Sequence, residues 1–323
     1  MIVFRLIAGS LAPLTLGSAV AAYLYPPLFL IFQGSFLWFF AVTMGAIGLV
    51  LEPEEFSQTM RSPRQIILGI CTQYTVMPLL GFAAAYLSGF QPALALGFII
   101  VGCAPGAMAS NVIVFLAGGA VAYSVALTTA STLLSPLVTP ALVELLGGAF
   151  LPIPFWPMMQ TIFWTVVLPL FAGMFLRRIA GSKLSLALEA APAVAVLSIL
   201  VICGYAVAAN QERIASVGPL VLLLVALLNA AGYAAGWYLA RLYGFDRRHQ
   251  TTLAVEIGMQ NAGLGVALAL RHFNPETALP GVLFAVWCII TAAGATAYLR
   301  PRGVHLQAAA NRARPVQPSI LPR

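Results

Sequence analysis

Val255-Glu256-Ile257-Gly258-Met259-Gln260-Asn261-Ala262-Gly263-Leu264 is a polar string in the middle of an apolar run that covers about 247–272. Glu256 stands eight residues from Arg248 and fifteen from Arg271. What such a string means depends on the medium around it. In a run long enough to cross hydrocarbon, which takes about 20 residues, a central carboxylate costs at least about 2.5–3.5 kcal/mol on insertion scales. The rest of the chain decides the medium. Of 323 residues, 61% are hydrophobic and only 8% are charged, against about 25% in a soluble domain. The mean hydropathy is +0.96. Sixteen Lys and Arg with nine Asp and Glu cannot clothe a soluble globule of this length, whatever the net charge of +7 suggests about acidic partners. A soluble enzyme, a nucleic-acid-binding domain and a disordered chain are therefore excluded. Long unbroken apolar runs, rather than short alternating ones, exclude an outer-membrane barrel. The chain reads as an all-α polytopic membrane protein.

Ten apolar runs are expected as spans, near 9–31, 34–51, 64–88, 92–118, 121–147, 155–178, 186–209, 215–243, 247–272 and 278–299. The first is too long for the apolar part of a signal peptide, about 7–15 residues, since it continues through Tyr23, Pro26 and Phe29 to Phe32. With the N-terminus inside, the cytoplasmic segments hold every Lys and Arg except Arg213 and Arg271. That asymmetry places both termini in the cytoplasm and supports an even number of spans. Spans one to five (1–150) and six to ten (151–300) divide the chain into halves, followed by a polar tail (301–323) expected to be disordered. Five spans per half force the halves to face opposite ways. The interrupted run is the fourth in each half, and Glu52-Pro53-Glu54-Glu55-Phe56 and Asn210-Gln211-Glu212-Arg213-Ile214 follow the second span of each. Paired broken spans at matching positions point to an inverted-repeat secondary transporter with a midplane site. The four cysteines, Cys71, Cys103, Cys203 and Cys288, form no CxxC pair and are expected as small buried apolar residues.

Span four carries Gly102-Cys103-Ala104-Pro105-Gly106-Ala107-Met108-Ala109-Ser110-Asn111. Proline removes a backbone donor and glycine lets the chain leave helical geometry. A plain proline kink would need nothing more, but the broken string around Glu256 in span nine makes two unwound segments at membrane depth. Backbone freed there must face protein or a wet cavity. The second half-helices, expected to begin near Met108 and Asn261, offer N-terminal amides to an anion. Gln73, Ser110, Asn111, Ser124, Thr128, Thr129, Glu256, Gln260 and Asn261 are oxygen donors inside spans, with no His among them. Oxygen-only sites suit hard cations, and a single acid matches a monovalent ion, so sodium is the expected coupling ion. Uptake of a proton by a buried Glu is the alternative. Ser124 and Thr128 share one helix face, although either hydroxyl alone would more commonly bond back to its own helix.

Cys103-Ala104-Pro105-Gly106-x-x-Ala109-Ser110-Asn111 and Glu256-Ile257-Gly258-Met259-Gln260-Asn261 resemble the bile acid:sodium symporter family, its bacterial members most. Leu279-Pro280-Gly281-x-Leu283-Phe284-x-x-Trp287 and Glu52-Pro53 add to the resemblance, which covers roughly 10–300. It implies ten helices in two inverted five-helix repeats, with spans four and nine crossing in a core and spans one, two, six and seven forming a panel. It implies a bacterial inner-membrane protein and two sodium ions. The first sodium site would use Ser110, Asn111, Ser124, Thr128 and Glu256. The second would use Gln73, Gln260, Glu256 and the carbonyls of Ile257 and Met259. The substrate end departs from the pattern. Met108 stands where relatives often carry Thr, Cys288-Ile289 where they often carry His-Asn, and Leu228 where a His precedes the retained Asn229. Expected substrate contacts are Met108, Ala109, Asn229, Asn261, Ala262, Gly263 and Cys288.

The expected activity is sodium-coupled symport of a small organic anion by alternating access. Such a cargo would be bile-acid-like, pantoate-like or another monocarboxylate. The chain carries no HExxH, GxSxG or Asp-rich motif, so no catalytic residue is assigned. A proton-coupled carrier and a passive channel or sensor on the same fold are the other readings. The expected partners are sodium, the anion and membrane lipid. Nucleic acid is not among them, and nothing in the sequence indicates an obligate protein partner.

Overall fold

A computed structural model describes residues 11–51, 63–180, 185–288 and 290–291. These residues are mostly helical and contain no strand beyond one isolated bridge. Helix α1 is Leu11–Leu24. It ends at Tyr25-Pro26-Pro27, and a short α2 (Pro27–Leu30) follows because Pro27 suits the first helical turn. The first apolar run is thus two helices rather than one. Next come α3 (Phe36–Val50), α4 (Pro63–Ser88), α5 (Pro92–Cys103), α6 (Ser110–Leu116) and α7 (Val121–Gly147). The sixth run is α8 (Phe155–Ile162), a wider turn over Phe163–Val167 and α9 (Leu168–Ala180). The wide turn sits beside Pro169, and Leu168 N–H reaches back five residues to Phe163 O. Helices α10 (Ser185–Ala208), α11 (Gln211–Leu242), α12 (Arg247–Gly258) and α13 (Ala262–His272) complete the numbered set. A 3-10 turn (Pro275–Ala278) then leads into a helix over 279–288.

Five of these stretches are long and apolar enough to cross a membrane: 63–88, 121–147, 155–179, 185–208 and 211–242. The chain is therefore a polytopic helical membrane protein. The Glu52–Phe56 string, Arg5, Arg61, Lys183, Ile289, the end of the tenth run and the 301–323 tail lie outside the described residues.

Packing sorts the helices into two groups. Helix α3 lies against α9 and α10, and α10 also against α1. Helices α4, α5, α7, α11 and α12 form the second group, with α13 packed on α5. Contacts are at backbone distance where residues are small, as packing within a bilayer demands. A Cβ at Gly48 would lie 2.1 Å from Leu170 O, and one at Gly236 would lie 2.7 Å from Leu253 O. The groups meet chiefly where α13 touches α3 and α10, and where α8 touches α7 and α13. Thr161 Oγ1 and His272 Nε2 are 2.9 Å apart across that contact. The expected burial of all four cysteines holds for three; Cys71 is exposed, on the outward face of α4.

The Gly236 contact yields a stability test. Gly236→Leu forces a side chain into α12 backbone and should cost about 1–3 kcal/mol or more. Gly17→Ala, at an α1 position with nothing within 4 Å, should cost nothing. Thermal unfolding in detergent measures both. Equal melting temperatures for the two variants would contradict the packing described.

Candidate ion and substrate site

Helix α12 is fixed at its start by Asp246, whose carboxylate accepts the His249 N–H at 2.9 Å. That backbone bond holds the Asp246 carboxyl below its ordinary pKa. Twelve helical residues later the chain leaves helical geometry, with Met259 extended at φ −106°, ψ 107°. In the other half, α5 ends at Cys103 and Ala104 is extended at φ −68°, ψ 152°. The two extended stretches pair antiparallel at Gly106 and Gln260. Ala107 N–H donates to Met259 O at 2.9 Å, and Asn261 N–H donates to Pro105 O at 2.8 Å. Each break thus supplies the backbone partners that the other has lost.

Neither break uses left-handed geometry; positive φ among the described residues is confined to Gly89, Gly118 and Gly244. The reason for glycine at 106 is room. A Cβ there would stand 3.1 Å from Glu256 Oε2.

The pairing delivers Glu256, 1% exposed, to three hydroxyls. Ser110 Oγ donates to its Oε1 at 2.5 Å, Ser124 Oγ donates to the same oxygen, and Thr128 Oγ1 donates to Oε2 at 2.6 Å. Each hydroxyl also has a second acceptor. These are Ala107 O for Ser110 at 2.6 Å, Asn111 Oδ1 for Ser124 at 2.7 Å and Ser124 O for Thr128 at 2.9 Å. Back-bonding of Thr128 to its own helix and its contact with Glu256 therefore coexist. A hydroxyl carries one proton and two lone pairs, so each can give its proton to the second acceptor once its oxygen draws back from the carboxylate.

Beyond this cluster, Gln73 Nε2 donates to Gln260 Oε1 at 2.8 Å and to Ala104 O at 3.1 Å. Gln260 Nε2 donates to Ile257 O at 2.8 Å. The residues expected around two ions thus stand together. Of the first N–H groups of α13, that of Ala262 goes to Gln260 O, that of Leu264 to Asn261 Oδ1 and that of Gly265 to Asn261 O. The N–H of Gly263 is left over, as helix starts require.

A cavity of about 140 Å³ opens beside the crossing. Of the expected substrate contacts, Met108, Ala109, Asn261, Ala262, Gly263 and Cys288 line it. Asn229 does not. Its Nδ2 donates to Gly258 O at 2.8 Å, behind the break, where it satisfies the last carbonyl of α12. The opposite wall comes from the first helix group: Phe40, Thr43, Met44 and Ile47 of α3, with Ile202 and Cys203 of α10. The α10 residues were missed in the sequence. With Ile199 they lie at i, i+3 and i+4, a helical stripe, but a lipid-facing stripe has the same spacing.

Removing one hydroxyl leaves a buried carboxylate oxygen short of a donor, at about 1–3 kcal/mol. Thr128→Val should therefore lower stability by that amount in sodium-free buffer at neutral pH, and Thr161→Val, at a half-buried position, by less than about 1 kcal/mol. Chemical denaturation in micelles reads the difference. An unchanged midpoint for Thr128→Val would mean that the hydroxyl does not serve the carboxylate.

The sequence profile of the Sodium Bile acid symporter family matches residues 37–217. An uncharacterized sodium-dependent transporter of Bacillus subtilis is 39% identical over 83% of this chain and 84% of its own length. A probable chloroplastic sodium/metabolite cotransporter of Arabidopsis thaliana is 35% identical over 76% of this chain and 61% of its own. Its counterpart in Oryza sativa subsp. japonica is 35% identical over 85% of this chain and 68% of its own. These relatives carry the names of transporters, not of enzymes.

Proposed function

Since this chain belongs to the sodium bile acid symporter family, a family of sodium-dependent transporters, we propose that it is a symporter that moves a small organic anion with two sodium ions. The observation that carries the reading is the second acceptor available to each hydroxyl around Glu256. When the protons of Ser110, Ser124 and Thr128 turn to Ala107 O, Asn111 Oδ1 and Ser124 O and the side chains draw back from the carboxylate, hydroxyl oxygens and a carboxylate are left to surround an ion. That is a hard-cation donor set. The second ion takes Gln73, Gln260, Glu256 and the carbonyls of Ile257 and Met259. Both ions are cargo, and one carboxylate shared between them offsets part of the desolvation of each.

The anion lies in the cavity, its charge toward the Gly263 N–H and the positive end of α13, with sodium close behind. Met108 and Cys288 leave few polar donors for a second charged group, so a monocarboxylate is favoured over a dicarboxylate. Residues 1–150 and 151–300 are read as inverted repeats that total ten helices, since the two mutually paired breaks occupy the fourth run of each. The second group then acts as a core holding both breaks, and the first as a panel that moves against it in a bacterial inner membrane, with both termini in the cytoplasm. The Thr161–His272 contact joins the two groups and would have to part as they move.

Reconstitution in proteoliposomes tests this. Glu256→Ala should abolish uptake driven by a sodium gradient. Gln73→Ala and Thr128→Ala should each raise the sodium concentration for half-maximal uptake several-fold. Full uptake by Glu256→Ala at limiting sodium, or uptake driven equally by a proton gradient without sodium, would overturn the coupling. A Thr161→Cys/His272→Cys protein, once cross-linked, should bind anion but not transport it. Normal turnover when cross-linked would overturn the rocking motion.

A further inference from the structure

The cavity is unusually rich in sulfur. Five of its seventeen lining residues are Met or Cys, against thirteen of 323 in the chain. The sulfur comes from both sides: Met44 and Cys203 on the α3 and α10 wall, and Met108, Met259 and Cys288 on the side of the breaks. Among the described residues no three His, Cys, Asp or Glu side chains gather to hold a metal, and the thioethers of the Met residues are read as packing groups.

Thioether sulfur is polarizable and is attracted to aromatic rings, often at the ring edge. A saturated ring of the same outline gains no such contact. Phe40, 2% exposed, adds an aromatic face to the same wall. Size narrows the choice further. The cavity holds about 140 Å³, and a dry cavity of about 150 Å³ takes one benzene. That is the size of one six-membered ring.

We propose that the cargo of this cavity is a monocarboxylate whose body is a single aromatic ring, selected over saturated rings by the thioethers of Met44, Met108 and Met259. The inference rests on the reading of the cavity as the anion site of a sodium-coupled carrier. It goes beyond that reading by assigning selectivity to sulfur in this chain's own wall. Met is also flexible enough to admit several ring substituents, so discrimination should lie between aromatic and saturated bodies more than among aromatic ones.

Phenylacetate and cyclohexylacetate carry the same carboxylate on rings of similar outline. Their affinities for the purified full chain are to be measured by calorimetry in saturating sodium and again in choline. Phenylacetate should bind roughly threefold to tenfold more tightly in sodium, the size expected of one or two sulfur–ring contacts. In Met44→Leu/Met108→Leu, which keeps side-chain volume, that ratio should fall toward one. If the double variant does not fold, Met44→Leu and Met108→Leu singly should each lower the ratio. Sodium-dependent binding with equal affinities in the unaltered chain, or a ratio unmoved by every variant, overturns the proposal and leaves the carrier reading standing. Binding of both acids that is indifferent to sodium overturns the carrier reading, and this proposal with it.

Discussion

Two backbone hydrogen bonds hold the centre of this molecule, Ala107 N–H to Met259 O and Asn261 N–H to Pro105 O. In hydrocarbon an unpaired peptide group costs several kcal/mol, so a span can be interrupted only where something replaces its lost ladder. Here each interruption replaces the other's. Neither half can keep its break without the break in the other half. The pairing therefore fixes the crossing point, the direction of four half-helices and the position of every side chain within a few residues of it.

The crossing also assembles the chemistry. Glu256, near the end of α12, is brought under the start of α6 and against one face of α7, so Ser110, Ser124 and Thr128 reach it together. A side chain at position 106 would crowd the carboxylate, since a Cβ there would stand 3.1 Å from Glu256 Oε2. Two-acceptor hydroxyls make the cluster self-sufficient without a cation.

Much of this was legible in the sequence. Long runs marked five stretches that are long and apolar enough to cross a membrane, because hydrocarbon accepts little else, and α7 and α10 begin and end within a residue of their runs. A carboxylate amid apolar residues marked the site because its cost requires a purpose. Proline in span four marked a break, but the glycine beside it was read as conformational freedom when its role is space beside Glu256. That role depends on a residue 150 positions away, which no local pattern carries. Asn229 was placed among substrate contacts, whereas it satisfies the Gly258 carbonyl from behind; a polar residue in a span signals a partner without saying which. The Ile202–Cys203 wall was missed because apolar residues facing a cavity and apolar residues facing lipid look alike. Pro26 and Pro27 divided the first run, since a proline pair that ends one helix can also start the next.

Sodium binding by the hydroxyl cluster around Glu256 is the point on which the transport reading turns. Equilibrium binding of radioactive sodium to the purified chain, without any organic anion, addresses it most closely. A direct sodium site requires saturable binding of about two ions per chain that choline does not displace. It also requires loss of that binding in Glu256→Gln, which keeps the shape of the side chain and removes its charge. Saturable sodium binding undiminished in Glu256→Gln, or none in the unaltered chain, would contradict it.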